Sequence, residues 1–330
     1  MKRFAAASLI CALSVSAIAA PSARASSPVI CLAYDTGGPG DSSFNDAAQA
    51  GLNKVAAKKF QFTLETTVTS GDAKDRIDRL TALVKKECAI VIAVGTGYAS
   101  TLKELSRQYP ETQFAILNDA TVDALNVTSI VFADVQGAYL AGYAAALASK
   151  SGKVAMVGYA SQKDLFERGF TPGAKAAKKS IATSVRYISS SASKETTSLL
   201  RSGHDVIYLT TTGSATEVFG AIVASNSASK NKSSAGIITV GPDQFLSVTA
   251  STKKFVLATV VKRIDLALID LLTKTLEEST LFDEVDPTLG VYGKRYGISD
   301  KSIEITLRSP GLVAKTSAIN SASSAASKLN

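Results

Sequence analysis

The amino-acid sequence predicts an α/β protein built from two Rossmann-like lobes. Apolar strand segments alternate repeatedly with segments of helical periodicity, which indicates strands connected by crossover helices. Most strand segments are continuous apolar runs, which is typical of parallel strands covered by helices on both faces. The chain supplies about ten such strands, more than one doubly wound sheet comfortably holds, so we expect two sheets.

The alternation can be followed along the whole chain. The first half predicts strands at PVICLAYD, FTLETTVT, AIVIAVG, QFAILND and VTSIVFAD, with helices over about 44–59, DAKDRIDRLTALVKKE and about 100–108. The second half predicts, in order, the helix QGAYLAGYAAALAS, the strand KVAMVG, a helix over 164–179, the strand SVRYIS, a short helix, the strand DVIYLTT, a helix over 214–226 and the strand GIITVG. The charges in DAKDRIDR are interpreted as a solvated helix face. Residues 317–330 are rich in Ser and Ala without periodicity, and they are predicted to form a flexible tail.

Residues 1–25 have the features of a secretory signal peptide. The charged MKR precedes the apolar FAAASLICALSVSAIAA, and an A-x-A cleavage site follows at 23–25. We therefore expect an exported protein in the periplasm or at the outer face of the cell membrane. The formal net charge is +8, but the cations are spread along the chain without a basic block, which argues against nucleic-acid binding.

Few residues of this chain suit metal or acid–base chemistry. His204 is the single histidine, and Cys31 and Cys88 each lie in an apolar strand-like run. A disulfide bond and buried free thiols both fit these cysteines in an exported protein. Neither a zinc site nor a histidine-based triad has enough residues. The sequence therefore predicts no metal, no cofactor and no catalytic residue.

The stretch DTGGPGDSSFNDAAQAGL carries the strongest signal of a binding site. Asp35 ends the first strand, at the sheet edge where open parallel sheets bind ligands. Ser43 followed by Asp46 resembles a capping box, which places Phe44 and Asn45 in the first helical turn, facing the cleft. The alternative is that Phe44 is a hydrophobic staple or core residue and that Asp35 caps the loop.

The same stretch resembles the signature of the basic membrane protein family, the solute-binding proteins of nucleoside ABC transporters. VGTGYAS, NVTSIVFADVQGAYLAGYAAALASKSGKVAMVG, FERGFTPGAKAA and ATVVKRIDLAL resemble family segments in the same order. The resemblance implies a type I periplasmic-binding-protein fold with three hinge crossings, near 134, 257–261 and 286–290. The implied N-terminal lobe comprises 26–134 and 258–286, and the C-terminal lobe 135–257 and 287–316.

The resemblance also implies how a ligand is bound between the lobes. Asp35 and Asn45 would read a purine base, while Phe44 and Tyr208 would stack on its two faces. The other implied or expected ligand-binding positions are Thr96, Asn118, Gly213, Gly241 and Lys262.

The positions expected to contact a sugar depart from the family pattern. Asn118 and Gly241 stand where the family commonly has aspartates, although Asp119 and Asp243 lie nearby in the sequence. Carboxylates accept hydrogen bonds from a ribose diol more strongly than neutral groups do. We therefore expect base recognition to be retained and the preference for ribose to be weakened.

Together these features predict an extracytoplasmic solute-binding protein that delivers a purine nucleoside or related base to an ABC permease and its ATPase, and that meets the membrane through the permease. One alternative is a receptor for another aromatic ligand such as riboflavin, which a branch of the family binds. Another is a surface or sensory protein of the same fold without transport. No nucleophile–base pair is visible, which argues against an enzyme.

Overall fold

The computed structural model describes residues 27–58, 60–162, 165–188, 191–211, 215–228, 234–277, 285–287 and 289–330. The predicted leader and Gly213 lie outside these ranges. The described residues contain two six-stranded sheets. No helix in these ranges has the length and apolar character needed to cross a membrane.

The strands, in chain order, are β1 Val29–Tyr34, β2 Thr63–Val68, β3 Ile90–Val94, β4 Phe114–Leu117, β5 Val127–Phe132, β6 Lys153–Tyr159, β7 Ala182–Ile188, β8 Val206–Leu209, β9 Gly236–Gly241, β10 Val256–Lys262, β11 Gly293–Tyr296 and β12 Ile303–Leu307. The helices are α1 Phe44–Ala56, α2 Ala73–Val84, α3 Ala99–Gln108, α4 Asp134–Ala148, α5 Glu167–Ala177, α6 Ala192–Arg201, α7 Ala215–Ala228, α8 Ala250–Lys253, α9 Ile264–Leu276, α10 Pro310–Val313 and α11 Thr316–Ala326.

Each sheet is the centre of one lobe. The first sheet has the strand order β11-β5-β4-β3-β1-β2, and all of its pairings are parallel. The second has the order β12-β10-β9-β8-β6-β7, with β12 alone antiparallel to its neighbour. Central strands such as β3 and β9 are buried along their whole length, because helices cover both faces. The prediction of two Rossmann-like lobes is confirmed.

Three glycines, Gly142, Gly169 and Gly173, let α4 and α5 pack backbone to backbone in the second lobe. A Cβ atom at Gly142 would lie 2.0 Å from the carbonyl oxygen of Phe170, and one at Gly173 would lie 2.0 Å from that of Tyr139. Larger side chains would force the helices apart. This contact fixes α4, whose first residue, Asp134, lies at the boundary between the lobes.

The chain passes between the sheets three times, but the last two passages lie later than predicted. The first falls between β5 and α4. Residues 257–261 belong to β10, which pairs with β9 and β12 in the second sheet, so the chain returns to the first lobe only after Lys262. Residues 286–290 precede β11, which pairs with β5 in the first sheet, so the third passage falls within 297–302. Strand pairing decides these boundaries, and a resemblance between linear segments does not reveal pairing.

The predicted flexible tail is instead helix α11. Ile319, Ala322 and Ala326 are buried, at the spacing of one helix face, and Ala322 and Ala326 share a small apolar cluster with Leu140 of α4. The side chains of this face are mostly small, so its apolar periodicity is weak in the sequence.

Cys31 and Cys88 form a disulfide bond, with Cα atoms 5.8 Å apart and a sequence separation of 57. Cys31 lies in β1, and Cys88 lies just before β3, the strand that pairs with β1. This settles the alternative between a disulfide and free thiols.

Candidate functional site

A cavity of about 270 Å³ opens at the carboxyl ends of the strands in the first lobe. Its walls come from the loops after β1, β3 and β4 and from the first turn of α1. The lining residues are Asp35, Thr36, Asp41, Ser43, Phe44, Asn45, Val94, Gly95, Thr96 and Asn118. The structure therefore brings together the predicted Asp35, Phe44, Asn45, Thr96 and Asn118, at the edge where open parallel sheets bind ligands.

Asp35 is held by a cation that the sequence analysis missed. Its Oδ1 accepts hydrogen bonds from the Thr36 N–H at 2.9 Å and from the Arg76 guanidinium at 2.8 Å. The Arg76 side chain is 15% exposed, donates also to the carbonyl oxygen of Gly71, and lies 5.4 Å from the ring centroid of Tyr98. Arg76 belongs to the segment DAKDRIDR that was interpreted as a solvated face. Its one-turn neighbour Arg79 does pair locally, with Asp75, and no local signal separates the two arginines.

The second carboxylate oxygen of Asp35 accepts no hydrogen bond from the residues that the structure describes. Arg76 reaches Asp35 because Gly97 has no side chain, since a Cβ atom there would lie 2.7 Å from Arg76 Nη2. The Asp35 side chain is 31% exposed. Asp35 therefore offers one oriented acceptor oxygen to a ligand in the cavity.

Asn45 organises the loop that carries Asp35. Its side chain is 1% exposed, its Oδ1 accepts from the Asp35 N–H at 3.0 Å, and its Nδ2 donates to the carbonyl oxygens of Asp35 and Thr36, each at 3.3 Å. These bonds occupy the amide oxygen and both amide hydrogens. In this conformation Asn45 fixes the backbone around Asp35 and has no free donor for a base.

The cap of α1 differs from the predicted capping box. The side chain of Ser43 makes no cap hydrogen bond. Instead the carboxylate of Asp41 accepts from the N–H groups of Ser43, Asn45 and Asp46, at 2.7–3.3 Å. Asp46 reaches back to the N–H groups of Gly40 and Ser42. A carboxylate three residues before the first residue of α1, also favoured by the helix dipole, competes successfully with the serine hydroxyl.

Phe44 and Thr96 both line the cavity. Phe44 is half-buried: it lines the cavity and also packs against the main core of the protein. Thr96 begins a short 3₁₀ turn, Thr96–Tyr98, directly after Gly95, whose φ of 95° is left-handed. The loop GTGYAS is therefore a wall of the cavity.

Two tyrosines behind the cavity remain neutral. The Tyr98 hydroxyl donates to the carbonyl oxygen of Tyr34 at 2.7 Å. Burial, reinforced by the negative charge of Asp35, raises the pKa of Tyr98 well above its usual range. Burial and, to a smaller extent, Asp46 raise the pKa of Tyr34 to about 12. The phenols therefore add no charge to the site near neutral pH.

Lys262 connects the two lobes beside the cavity. It ends β10 in the second lobe, yet its Nζ donates to Oδ1 of Asn118, after β4 in the first lobe, at 3.0 Å. It also lies 2.6 Å from Oδ1 of Asp134 and within 6 Å of the ring centroids of Phe132 and Phe166, at 5.7 and 5.8 Å. Lys262 is 5% exposed, and its pairing with Asp134 compensates for burying the ammonium group.

The two aspartates that could replace the missing sugar-site carboxylates are already engaged. Asp119 is 8% exposed, and its Oδ1 accepts from the N–H and the hydroxyl of Thr121, both at 2.7 Å. Asp243 pairs with Arg308 and accepts from the Phe245 N–H. Gly241 ends β9 next to Val261 of β10, with a φ of 117° that favours glycine.

Tyr208 does not present a face to the cleft in this conformation. Its ring is fully buried in β8, stacks on Phe170 at a centroid distance of 5.6 Å and meets Phe166 edge-on at 6.3 Å. Burial, together with the charge of Asp134, raises the pKa of Tyr208 well above its usual range. The prediction that Tyr208 stacks on a ligand does not fit this packing. Gly213 lies outside the described residues.

A second, larger space of about 820 Å³ continues from the first cavity between the lobes. Asp41 and Ser43 line both spaces, so the two are adjacent. The opposite wall comes from one face of α7 and the segment before β10, and includes Phe219, Val223 and Gln244. No sequence signal marks this wall, because α7 is mostly apolar and contains no charged residue after its first turn.

The described residues contain no group of histidine, cysteine and carboxylate side chains that could hold a metal ion. His204 lies just before β8, far along the strand from the cavity. Its Nε2 contacts the Ser184 hydroxyl at 2.9 Å and its Nδ1 lies 3.1 Å from the Leu199 carbonyl oxygen. Burial lowers the pKa of His204. The ring contacts Ser184 and Leu199, so this histidine supports the local packing of the second lobe.

Comparison with solved structures shows a fold shared with solute-binding proteins. A solute-binding protein of an ABC transporter system from Aeropyrum pernix K1 superposes with a TM-score of 0.63 over 84% of this chain and 76% of that chain, at 18% identity. A transcriptional activator of the comK gene from Bacillus halodurans gives a TM-score of 0.67 over 90% and 97%, at 20% identity. At these identities the likeness establishes the fold, which is that of type I periplasmic solute-binding proteins.

Sequence comparisons establish the family. The chain is 34% identical over 262 residues to a CD4+ T-cell-stimulating antigen of Listeria innocua serovar 6a, covering 74% of this chain and 73% of the relative. It is 30% identical over 256 residues to the ABC transporter nucleoside-binding protein BmpA of Lactococcus lactis subsp. cremoris, covering 73% of each. A family model described as ABC transporter substrate-binding protein PnrA-like matches residues 30–324. The chain therefore belongs to the Bmp family of PnrA-like ABC transporter substrate-binding proteins.

Proposed function

We propose that this protein binds a purine nucleoside or a related base between its lobes and delivers it to an ABC permease. The observation that carries the proposal is Oδ2 of Asp35, which accepts no hydrogen bond from the described residues; the carboxylate is oriented by Arg76 and lines the same cavity as the ring of Phe44. A carboxylate accepts hydrogen bonds from ring N–H and exocyclic amino groups, and a phenylalanine ring stacks on the π-face of a base. The nucleoside-binding relative from Lactococcus supports the same ligand class.

The proposal assigns different roles to the residues of the cavity. Asp35 reads the base and Phe44 covers one face, while Asn45 holds the Asp35 loop in place. Asn118 lines the cavity and accepts from Lys262, so this pair adjoins the ligand from the side of the hinge. Gly241 and Gly213 would approach the ligand only through their backbone.

The state of the sugar end supports a weak preference for ribose. Asp119 and Asp243 are held by Thr121 and Arg308, so neither replaces the absent carboxylates without breaking those bonds. Each charge-assisted hydrogen bond lost from a ribose diol is worth about 1.5–3 kcal/mol. Free bases and deoxynucleosides should then compete within about one to two orders of magnitude of the ribonucleoside.

Riboflavin is a second candidate ligand, favoured by the space of about 820 Å³ that adjoins the base cavity. Drug-sized ligand sites range over about 300–1,000 Å³, so the two spaces together suit a ring system larger than a purine. The apolar Phe219, Val223 and Val248 on this wall suit the flat face of such a ring.

The remaining parts of the proposal follow from the family and the leader. The protein would be exported and act in the periplasm or at the outer face of the membrane, which suits its disulfide bond. It would act as a binding protein rather than an enzyme, since Asp35 pairs with a cation and the lining of the cavity contains no histidine, lysine or cysteine. A sensory role with the same ligand would require no permease, and a permease and ATPase encoded beside this gene would favour transport.

Calorimetry tests the ligand class and the role of Phe44 together. Adenine, deoxyadenosine, adenosine, the guanine series and riboflavin are titrated into the wild type, Phe44→Ala and Phe44→Tyr. Removing the ring should weaken binding of the preferred compound by about 1–3 kcal/mol, while Phe44→Tyr should preserve it. Unchanged affinity for Phe44→Ala, or a large loss of its melting temperature, would contradict stacking. Absence of binding to every compound would refute the ligand class.

A further inference from the structure

A group of cations lies at the edge of the second lobe that faces away from the cleft. We call this surface the basic edge. It is formed at the amino ends of the strands β6, β7, β8, β9 and β10, opposite the carboxyl ends that border the cleft. Its members are Lys150, Lys153, Lys175, Lys178, Lys179, Arg201, Lys253, Lys254 and Lys315.

Strand pairing brings three of the contributing segments together. Lys153, the first residue of β6, pairs in register with Ala182, the first residue of β7. Lys178 and Lys179 lie in the turn just before Ala182, so their segment adjoins the start of β6. The Nζ of Lys153 also donates to the Ser202 carbonyl oxygen at 3.0 Å, next to Arg201.

The remaining members join the same edge through other contacts. Lys315 donates to the carbonyl oxygen of Leu147 at 2.8 Å, near the end of α4 and therefore near Lys150. Lys254 precedes Phe255, whose carbonyl oxygen accepts from the Ile237 N–H at the start of β9. Lysines scattered through 150–315 thus become neighbours when the sheet forms.

The basic edge is not neutralised by the protein. Within the described ranges, the ion pairs involve cations of the first lobe, the hinge or Arg308, and none involves a member of the basic edge. The carboxylate found among its described residues is Asp205, which is 8% exposed and accepts from Ser149 and from the N–H groups of Lys150 and Ser151.

The charge of this edge dominates the electrostatics of the chain. The nine cations of the basic edge and the one carboxylate, Asp205, sum to 9 − 1 = +8, which equals the formal net charge of the whole chain. That total includes Lys2, Arg3 and Arg24 of the predicted leader, so the exported chain carries 8 − 3 = +5 and its residues outside this edge sum to 5 − 8 = −3. A field of one sign over one surface attracts anionic partners from solution.

We propose that the basic edge binds an anionic polymer of the cell envelope that carries repeated phosphate or carboxylate groups. Lysine ammonium groups are point charges on flexible stems, so they suit a flexible polyanion better than a single precisely shaped anion. Several weak contacts add up along such a polymer, and salt screens them within about 8 Å at physiological ionic strength.

Geometry favours a polymer over an anionic bilayer. A permease that receives ligand from the cleft would meet the cleft side of the lobes, and the basic edge would then face away from the membrane. This orientation of the basic edge rests on the proposed transport function. Independently of that role, Val313 is the exposed large apolar residue beside this edge, and the exposed large apolar residues of the described chain include no aromatic side chain that could enter a bilayer interface.

Charge-reversal variants test the proposal. The edge variant combines Lys150→Glu, Lys178→Glu and Lys179→Glu, whose side chains are exposed and make no hydrogen bond within the described ranges. The matched control combines Lys58→Glu, Lys85→Glu and Lys103→Glu, exposed lysines of the first lobe that change the net charge equally. Binding to long-chain inorganic polyphosphate and to poly-L-glutamate is measured by fluorescence anisotropy, after melting temperatures have shown that both variants are folded. Lys→Gln versions of both triples serve if a reversal variant does not fold.

We expect the wild type to bind both polymers, with affinity falling at least about tenfold between 50 and 200 mM salt. The edge variant should lose at least about tenfold at low salt, because the reversals remove three attractive charges and add three repulsive ones, and the control should stay within about threefold. Equal losses in both variants would show a net-charge effect and overturn the proposal, as would no loss in either. Stronger binding to phosphatidylglycerol vesicles than to both polymers would overturn the assignment of a polymer partner.

Discussion

At the scale of single residues, the site depends on a pairing between segments far apart in sequence. Asp35 ends the first strand and Arg76 lies in the second helix, yet the guanidinium binds one carboxylate oxygen and leaves the other free. The sequence predicted Asp35, because a carboxylate at a strand end before glycines is unusual. It did not predict Arg76, because the arginine is surrounded by charges of an ordinary amphipathic helix.

Removing the arginine should therefore weaken ligand binding while the fold persists. In Arg76→Gln the oriented charge-assisted hydrogen bond to Asp35 is lost, and affinity for the preferred compound should fall by about 1.5–3 kcal/mol. Arg79→Gln is the matched control, because Arg79 lies one turn further along α2 and pairs with Asp75, away from the cavity. Calorimetry measures both. Equal affinities for the two variants would show that Arg76 does not position Asp35 for the ligand.

At the scale of secondary-structure elements, long periodic segments were predictable and segments defined by pairing were not. Helix α1 and strands β1 and β3 were predicted because their apolar patterns are strong. Strand β11 has only four residues, and it is recognisable only by its pairing with β5. Helix α11 was misread because its buried face consists mainly of alanines beside Ile319. Local patterns specify elements, whereas their partners depend on contacts distant in sequence.

The disulfide between β1 and the segment before β3 should contribute to stability without affecting the site. Replacing both cysteines, Cys31→Ala with Cys88→Ala, frees a loop whose ends are 57 residues apart. The free energy of unfolding should fall by about 3–4 kcal/mol, since the bond restricts the unfolded chain. Urea denaturation of the variant and of the oxidised wild type measures the difference. Ligand affinity should be unchanged, because neither cysteine lines the cavity. Equal denaturation midpoints for the variant and the oxidised wild type would contradict the expected stabilisation.

At the scale of the whole molecule, two lobes joined by three chain passages predict a hinged closure around the ligand. Small-angle scattering should show a more compact protein when the preferred compound is added. Asp35→Asn provides the control, because it removes the charged acceptor and should abolish compaction at the same ligand concentration. A wild-type profile that stays unchanged under conditions where calorimetry shows full occupancy would argue against closure.

The contact from Lys262 to Asn118 sets a condition on the timing of ligand entry. The ammonium group moves with one lobe and the amide with the other, so separation of the lobes must break this hydrogen bond. Lid and domain motions of this kind occur in microseconds to milliseconds. At high ligand concentration, the observed association rate would then level off at the rate of opening. Lys262, to which no contact with the base is assigned, would thus govern how fast ligand reaches the transporter. This effect on the rate would be independent of the affinity for the ligand.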